Sequence, residues 1–320
     1  MKKVFIVVNG CKAKAEIQLH QLMAEKFLKN FQTQFACPES TEELRECLWK
    51  LQPADYECVI LIGGDGTLNQ ALPAVMGRNL PLLLIAGGTA NDLVEELGMR
   101  VNWEKVPELI QEKQYEEMDL IIVNGCPFAT VGGIGFGALL TLQFNQLRNR
   151  FKPINWLAKK MKSQIYSFLS LEQIFFQNGY KHKVRITSES YHGVHDTAAI
   201  FICNQQKLGG DLWVSPNARN SDGYMESLII AKTRAVDVLK VFSDIKRGRP
   251  PEGAITFTSK KVVVESIDGE KLCVFGDGET LTKASRLEFS ILPSSLKVYR
   301  TNRLRKTMTE TYPELLSESV

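Results

Sequence analysis

The stretch that most constrains this chain is Val59 to Asn69, VILIGGDGTLN. Apolar residues run straight into Gly63-Gly64-Asp65-Gly66-Thr67, and a helical pattern follows at once. A continuous apolar run closed by glycines reads as a buried parallel strand. Glycines at its carboxyl end allow a tight turn and a close approach of backbone to a ligand. The spacing starts the next helix at Thr67, with its free N–H groups aimed at the same space, which makes an anion site. Asp65 sits within the loop. An acid beside phosphate implies a cation between them, so a Mg²⁺–nucleotide is the guest that fits.

A second loop repeats the design. Pro81 to Ile85 (PLLLI) reads as another buried strand, and Ala86-Gly87-Gly88-Thr89-Ala90-Asn91-Asp92-Leu93 opens another helix. In a parallel sheet the two loops line one crevice at neighbouring strand ends. Val4 to Val8 reads as a first strand ending at Asn9-Gly10, followed by a helix to about Asn30. A short strand near Gln32 to Ala36 and a helix near Thr41 to Leu51, capped by Ser40 or Thr41, complete an alternating pattern. The predicted fold class is therefore a doubly wound parallel α/β domain over 1–124. From Lys183 onward most segments read as strands with Asp-Gly turns, predicting an antiparallel β-rich domain over 125–296 with a sandwich as its form. A helical insert is expected at 139–177, and the tail 297–320 is expected to fold back on the first domain.

Composition excludes several classes. A net charge of +3 is too small to argue for nucleic acid. Seven cysteines, odd in number and without CxxC, read as reduced thiols of a cytoplasmic protein. The apolar run after Lys2 and Lys3 is too short for a signal peptide, and no run is long enough to span a bilayer. Residues 145–171 carry Arg148, Arg150, Lys152, Lys159, Lys160 and Lys162 with interleaved aromatics and no acid. A solvated helix face is the ordinary account; peripheral contact with an anionic membrane is the functional one, at about 1 kcal/mol per base.

The remaining motifs each have a plain structural account. Gly63 to Thr67 could be a bare strand-to-helix turn, and no Walker lysine follows it. Gly133-Ile134-Gly135-Phe136-Gly137-Ala138 matches GxGxxA in a β-rich context, where close backbone packing is the better account. Asp-Gly-Glu occurs at Asp268-Gly269-Glu270 and at Asp277-Gly278-Glu279. The first is well explained as a turn, and spacing alone selects neither as a catalytic acid. Asp222-Gly223 reads as a turn, or with nearby carbonyls as a hard-cation site.

Taken in order, Gly63 to Asn69, Gly88 to Leu93, Gly133 to Phe136, Pro216-Asn217-Ala218 to Asp222-Gly223, and Asp277 to Glu279 resemble the diacylglycerol kinase catalytic-domain family, soluble bacterial lipid kinases related to sphingosine kinases. The resemblance covers nearly the whole chain. It implies an N-terminal domain like that of phosphofructokinase and NAD kinase and a C-terminal β-sandwich. It implies ATP between them, contacted by Gly63, Gly64, Asp65, Gly66, Thr67 and Asn69 and by Gly88, Thr89, Asn91 and Asp92. It selects Glu279 as acceptor of the lipid hydroxyl proton, with Asp65 as the rival base. It maps a structural Mg²⁺ onto Asp222 and the carbonyls of Arg219 and Tyr224. The family's early Asn-Pro-x-Ser-Gly appears here as Asn9-Gly10-Cys11-Lys12-Ala13. The expected activity is ATP-dependent phosphorylation of a lipid hydroxyl, with diacylglycerol the first choice. A kinase of the NAD kinase type and a non-catalytic nucleotide or lipid sensor are the alternatives. ATP, Mg²⁺ and a membrane lipid are the expected partners, and the sequence allows a homodimer.

Overall fold

The structure is a computed structural model that describes residues 3–87, 91–99, 102–135, 181–208, 212–231, 234–249 and 251–301. The predicted insert at 139–177, the basic stretch 145–171, Gly88, Thr89 and the tail beyond 301 lie outside the described residues.

The first half alternates as the apolar pattern predicts. Its elements are β1 (Lys3–Val8), α1 (Lys14–Phe27), β2 (Gln32–Ala36), α2 (Thr41–Trp49), β3 (Tyr56–Gly63), α3 (Asp65–Val75), β4 (Leu82–Ala86), α4 (Asp92–Glu96) and α5 (Val106–Glu112). Strands β2, β1, β3 and β4 pair in that order, all parallel. Val59, Ile60 and Ile62 are fully buried. Each such side chain contributes about 1.5–3 kcal/mol, so β3 cannot shift register without losing the core. Ser40 caps α2 by accepting the Glu43 amide.

The second half contains β5 (Tyr115–Val123), β6 (Cys126–Phe128), β7 (Val131–Gly135), β8 (His182–Ser188), β9 (His192–Thr197), β10 (Ala199–Cys203), β11 (Lys207–Leu208) and β12 (Leu212–Trp213). It continues with β13 (Met225–Ile230), α6 (Ala235–Lys246), β14 (Ile255–Ser259), β15 (Lys261–Ser266), β16 (Leu272–Gly276), β17 (Glu279–Ala284) and β18 (Arg286–Tyr299). One core cluster draws Ile121, Val184, Val264 and Phe289 from one sheet and Ile134, Ile200, Met225 and Val274 from another. Two sheets facing across a shared core are a sandwich. Helix α6, absent from the strand-rich reading, packs Val241 and Ile245 on the outer face of the second sheet.

Strand β18 joins the halves. Its first part pairs antiparallel with β15 and β5, and Val298 pairs parallel with Leu82 of β4. The parallel sheet therefore runs on into the antiparallel one. The register breaks between Leu292 and Leu296, where Pro293 removes a donor and Ser294 turns left-handed at φ 48°. Gly133 lies inside β7 at a position where a Cβ would meet the Ile200 carbonyl oxygen at 1.9 Å. The glycine there serves close strand packing.

Candidate functional site

Helix α3 starts at Asp65, two residues before the sequence spacing places it, because Gly64 takes an extended conformation and serves as the N-cap. Asp65 is thus in the first helical turn, where the helix dipole favours a negative charge. Its Oδ2 accepts the Asn91 amide at 2.8 Å. Asn91 is left-handed at φ 60° and immediately precedes α4. The acid of the first loop therefore holds the backbone of the second. Burial, then the charges of Asp92 and Asp277, raise the Asp65 carboxyl to about 7, against the pull of amides from Asn91 and Asp92.

The loops are tied a second way. Gly63 and Ala86 are register partners, and the Gly87 amide donates to the Gly63 carbonyl at 2.7 Å. Thr67 is buried, and its Oγ1 accepts Asn9 Nδ2 at 3.2 Å. Beside this contact lies a cleft of about 230 Å³ lined by Asn9, Cys11, Ser40, Thr41, Thr67 and Gln70, among others. The gap among Gly63, Asp65 and the α4 residues is far smaller, about 10 Å³. That volume holds roughly one water.

The second Asp-Gly-Glu closes the site from the other half of the chain. Strands β16 and β17 form a two-residue hairpin, with Asp277 at φ 53° and Gly278 at φ 74°. Two consecutive left-handed residues are the type I′ signature. The Asp277 side chain points inward and is 5% exposed. It accepts Asn69 Nδ2 at 2.9 Å, the Ala129 amide at 3.0 Å, and the Thr130 amide and hydroxyl at 2.8 and 2.7 Å. Burial pushes its carboxyl up, and these donors pull it down. Asn69 also donates to the Pro127 carbonyl at 3.2 Å, so α3 is pinned to β6 and to this hairpin. Glu279, the first residue of β17, then lies over the first glycine loop. A Cβ at Gly66 would stand 2.7 Å from Glu279 Oε1.

The structure thus brings together Gly63, Gly64, Asp65, Gly66, Thr67, Asn69, Asn91, Asp92 and Glu279. Sequence reasoning missed Asp277, Asn9 and Lys12. Asp277 hides in an ordinary turn signal, and the others precede or follow a glycine at the end of β1. Gly87 could have flagged Lys12 only through a contact that no spacing reveals.

The loop of Arg219, Asp222 and Tyr224 stands apart. It hangs on Asp119 of β5, whose carboxylate accepts the Gly223 amide at 2.7 Å and the Ser294 amide at 2.8 Å. Asp222 Oδ1 accepts the Tyr224 amide at 3.0 Å. Among the described residues no group of three or more His, Cys, Asp or Glu side chains converges on a common point. A cation here would rest on one carboxylate, carbonyls and water, a hard-oxygen set of the kind Mg²⁺ accepts.

Comparison with known proteins agrees with this geometry. The diacylglycerol kinase catalytic-domain model matches residues 3–123, and the YegS C-terminal NAD kinase beta sandwich-like domain model matches 146–300. The chain carries a diacylglycerol kinase catalytic domain followed by a YegS-type C-terminal domain. It is 27% identical to a diacylglycerol kinase of Mycobacterium tuberculosis over 251 residues, covering 76% of this chain and 77% of that one. It is 24% identical over 244 residues to a protein of Shewanella frigidimarina described as a probable lipid kinase YegS-like, covering 75% of each. The fold matches the crystal structure of a diacylglycerol kinase from Bacillus anthracis with a TM-score of 0.69 at 17% identity, over 94% of this chain and 97% of that one. At family level the chain is a kinase of the lipid type. No helix among the described residues is long and apolar enough to cross a membrane.

Proposed function

We propose that this chain transfers the γ-phosphoryl group of ATP to the hydroxyl of a membrane lipid, diacylglycerol first, giving phosphatidic acid and ADP. The observation that carries the reading is Glu279 against Gly66, an acid from the β-rich half over the glycine loop of the α/β half. The hydroxyl oxygen forms the new P–O bond as the bond to the ADP oxygen breaks, and Glu279 takes the hydroxyl proton. Phosphoryl transfer asks mainly for alignment and charge neutralisation. Amides of Gly63 to Thr67 at the start of α3 supply the alignment, with Gly88 and Thr89 proposed alongside them. The nucleoside fits the cleft lined by Asn9, Ser40, Thr41 and Gln70.

Mg²⁺ would neutralise phosphate charge when bound, and Asp65 is the residue beside the loop that suits it. The second ion, at Asp222 with the carbonyls of Arg219 and Tyr224, would hold that loop in shape. Asp65 Oδ2 is engaged by the Asn91 amide, a contact that suits it to tie the loops, and the base of this reading is Glu279. Peripheral membrane contact through 145–171 and a cytoplasmic location belong to the same reading. The test is labelled-phosphate transfer from [γ-³²P]ATP to a panel of diacylglycerol, sphingoid base, polyprenol and NAD, the lipids in mixed micelles. Labelled phosphatidic acid is the expected product. Labelling of NAD alone would move the protein to the soluble-substrate branch, and labelling of nothing would favour a sensor.

A further inference from the structure

We infer that Lys12 is a nucleotide-phosphate ligand of this chain, a cation brought to the glycine loops from the β1–α1 connection. The inference rests on the kinase reading and adds a residue to it.

Lys12 Nζ donates to the Gly87 carbonyl at 2.6 Å and pairs with Glu16. Its side chain is 12% exposed. An ammonium has three donors, and these two contacts leave one for a further acceptor. The position is the crevice itself, since Gly87 is hydrogen-bonded to Gly63. A Cβ at residue 87 would lie 2.8 Å from Lys12 Nζ, so the lysine head group packs directly on this glycine. The same short loop sends Asn9 to Thr67, so it spans both strand tips.

Energetics argue for an additional anion. Burying a lysine head group is costly unless it is well paired. The Glu16 side chain is 42% exposed, so water screens its hold on Lys12. A polyphosphate oxygen in the crevice would supply the missing partner. Lys12 stands where the resembling family's early motif carries Ser. It answers the absence of a lysine after the first glycine loop.

The experiment is calorimetric binding of adenosine, ADP and ATP, each with Mg²⁺, to the full chain and to Lys12→Met and Glu16→Gln. A charge-assisted phosphate contact predicts that Lys12→Met weakens ADP and ATP by about 10- to 100-fold and leaves adenosine unchanged. Glu16→Gln, which removes the competing carboxylate, is expected to tighten ATP several-fold. Equal weakening of all three ligands, or of none, overturns the inference and leaves Lys12 as a staple between loops. Should Lys12→Met fail to fold, the Glu16→Gln arm decides, and an unchanged ATP affinity overturns the inference. A wild-type chain that binds none of the three removes the kinase reading and this inference together. A wild-type preference for ATP over adenosine that Lys12→Met preserves removes the inference alone.

Discussion

The two Asp-Gly-Glu tripeptides are identical in sequence and opposite in fate. Asp268, Gly269 and Glu270 are all exposed, on a connection from β15 to β16 that crosses between sheets. Asp277-Gly278 is a true hairpin turn, and its aspartate is buried under donors from α3 and from the β6–β7 turn. What separates them is not local propensity but what packs beneath. Where another element supplies donors, a turn aspartate becomes a tie between halves of the chain, and the glutamate that follows is aimed. Where nothing does, the same residues only turn the chain.

Paired substitutions sharpen that contrast. The largest effect is expected on turnover. Glu279→Gln should lower kcat by roughly 10²–10⁴-fold with ATP affinity and melting temperature intact, whereas Glu270→Gln should change none of these. Steady-state assays on both variants decide it, and equal losses would erase the distinction between the copies. Next is stability. Asp277→Ala orphans the donors from Asn69, Ala129 and Thr130 and should cost roughly 2–5 kcal/mol in urea unfolding. Asp268→Ala should stay within about 0.5 kcal/mol, as exposed substitutions do.

The third effect is pH-dependent and reaches Asp65, whose carboxyl Asp277 helps to raise. The folded carboxyl titrates at about 7, against an ordinary value of 3.8. Between those values the unfolded chain has released the proton that the folded chain still holds, so Asp65 lowers stability as pH rises through that window and no further above it. Asp65→Asn, which keeps an acceptor for Asn91, should match the wild type near pH 4 and exceed it by a few kcal/mol at pH 8, at about 1.4 per pKa unit. Unfolding midpoints without nucleotide or metal test this, and a pH-independent difference would contradict it.

The smallest effect is Gly66→Ala. The new methyl displaces Glu279 and should lower kcat about tenfold while leaving stability equal or higher, since Ala is the better helix former. In a Glu279→Gln background the same change should cost little more. Full additivity would mean that the two residues do not act together.

The first glycine loop was legible because a strand pattern, three glycines and an acid coincide within a few residues. Its helix start was not, because whether Gly64 caps depends on backbone angles that glycine leaves open. The sandwich was legible from alternation and Asp-Gly turns, while α6 was lost among apolar segments that also suit strands. The roles of Asp277 and Lys12 were invisible for one shared reason. Asp277 acts on Asn69 and Lys12 on Gly87, far along the chain, and local patterns carry no record of such contacts. Choosing Glu279 over Glu270 needed the order of motifs along the chain, which the resemblance supplied.

The position of the reacting phosphate decides whether Glu279 and the first glycine loop act together. A crystal structure with a non-hydrolysable ATP analogue, Mg²⁺ and a short-chain diacylglycerol tests that most directly. The expected result places the γ-phosphate on the amides of Gly63 to Thr67 and the lipid hydroxyl within hydrogen-bond reach of Glu279. Nucleotide bound elsewhere, or a γ-phosphate remote from both Gly66 and Glu279, would contradict it.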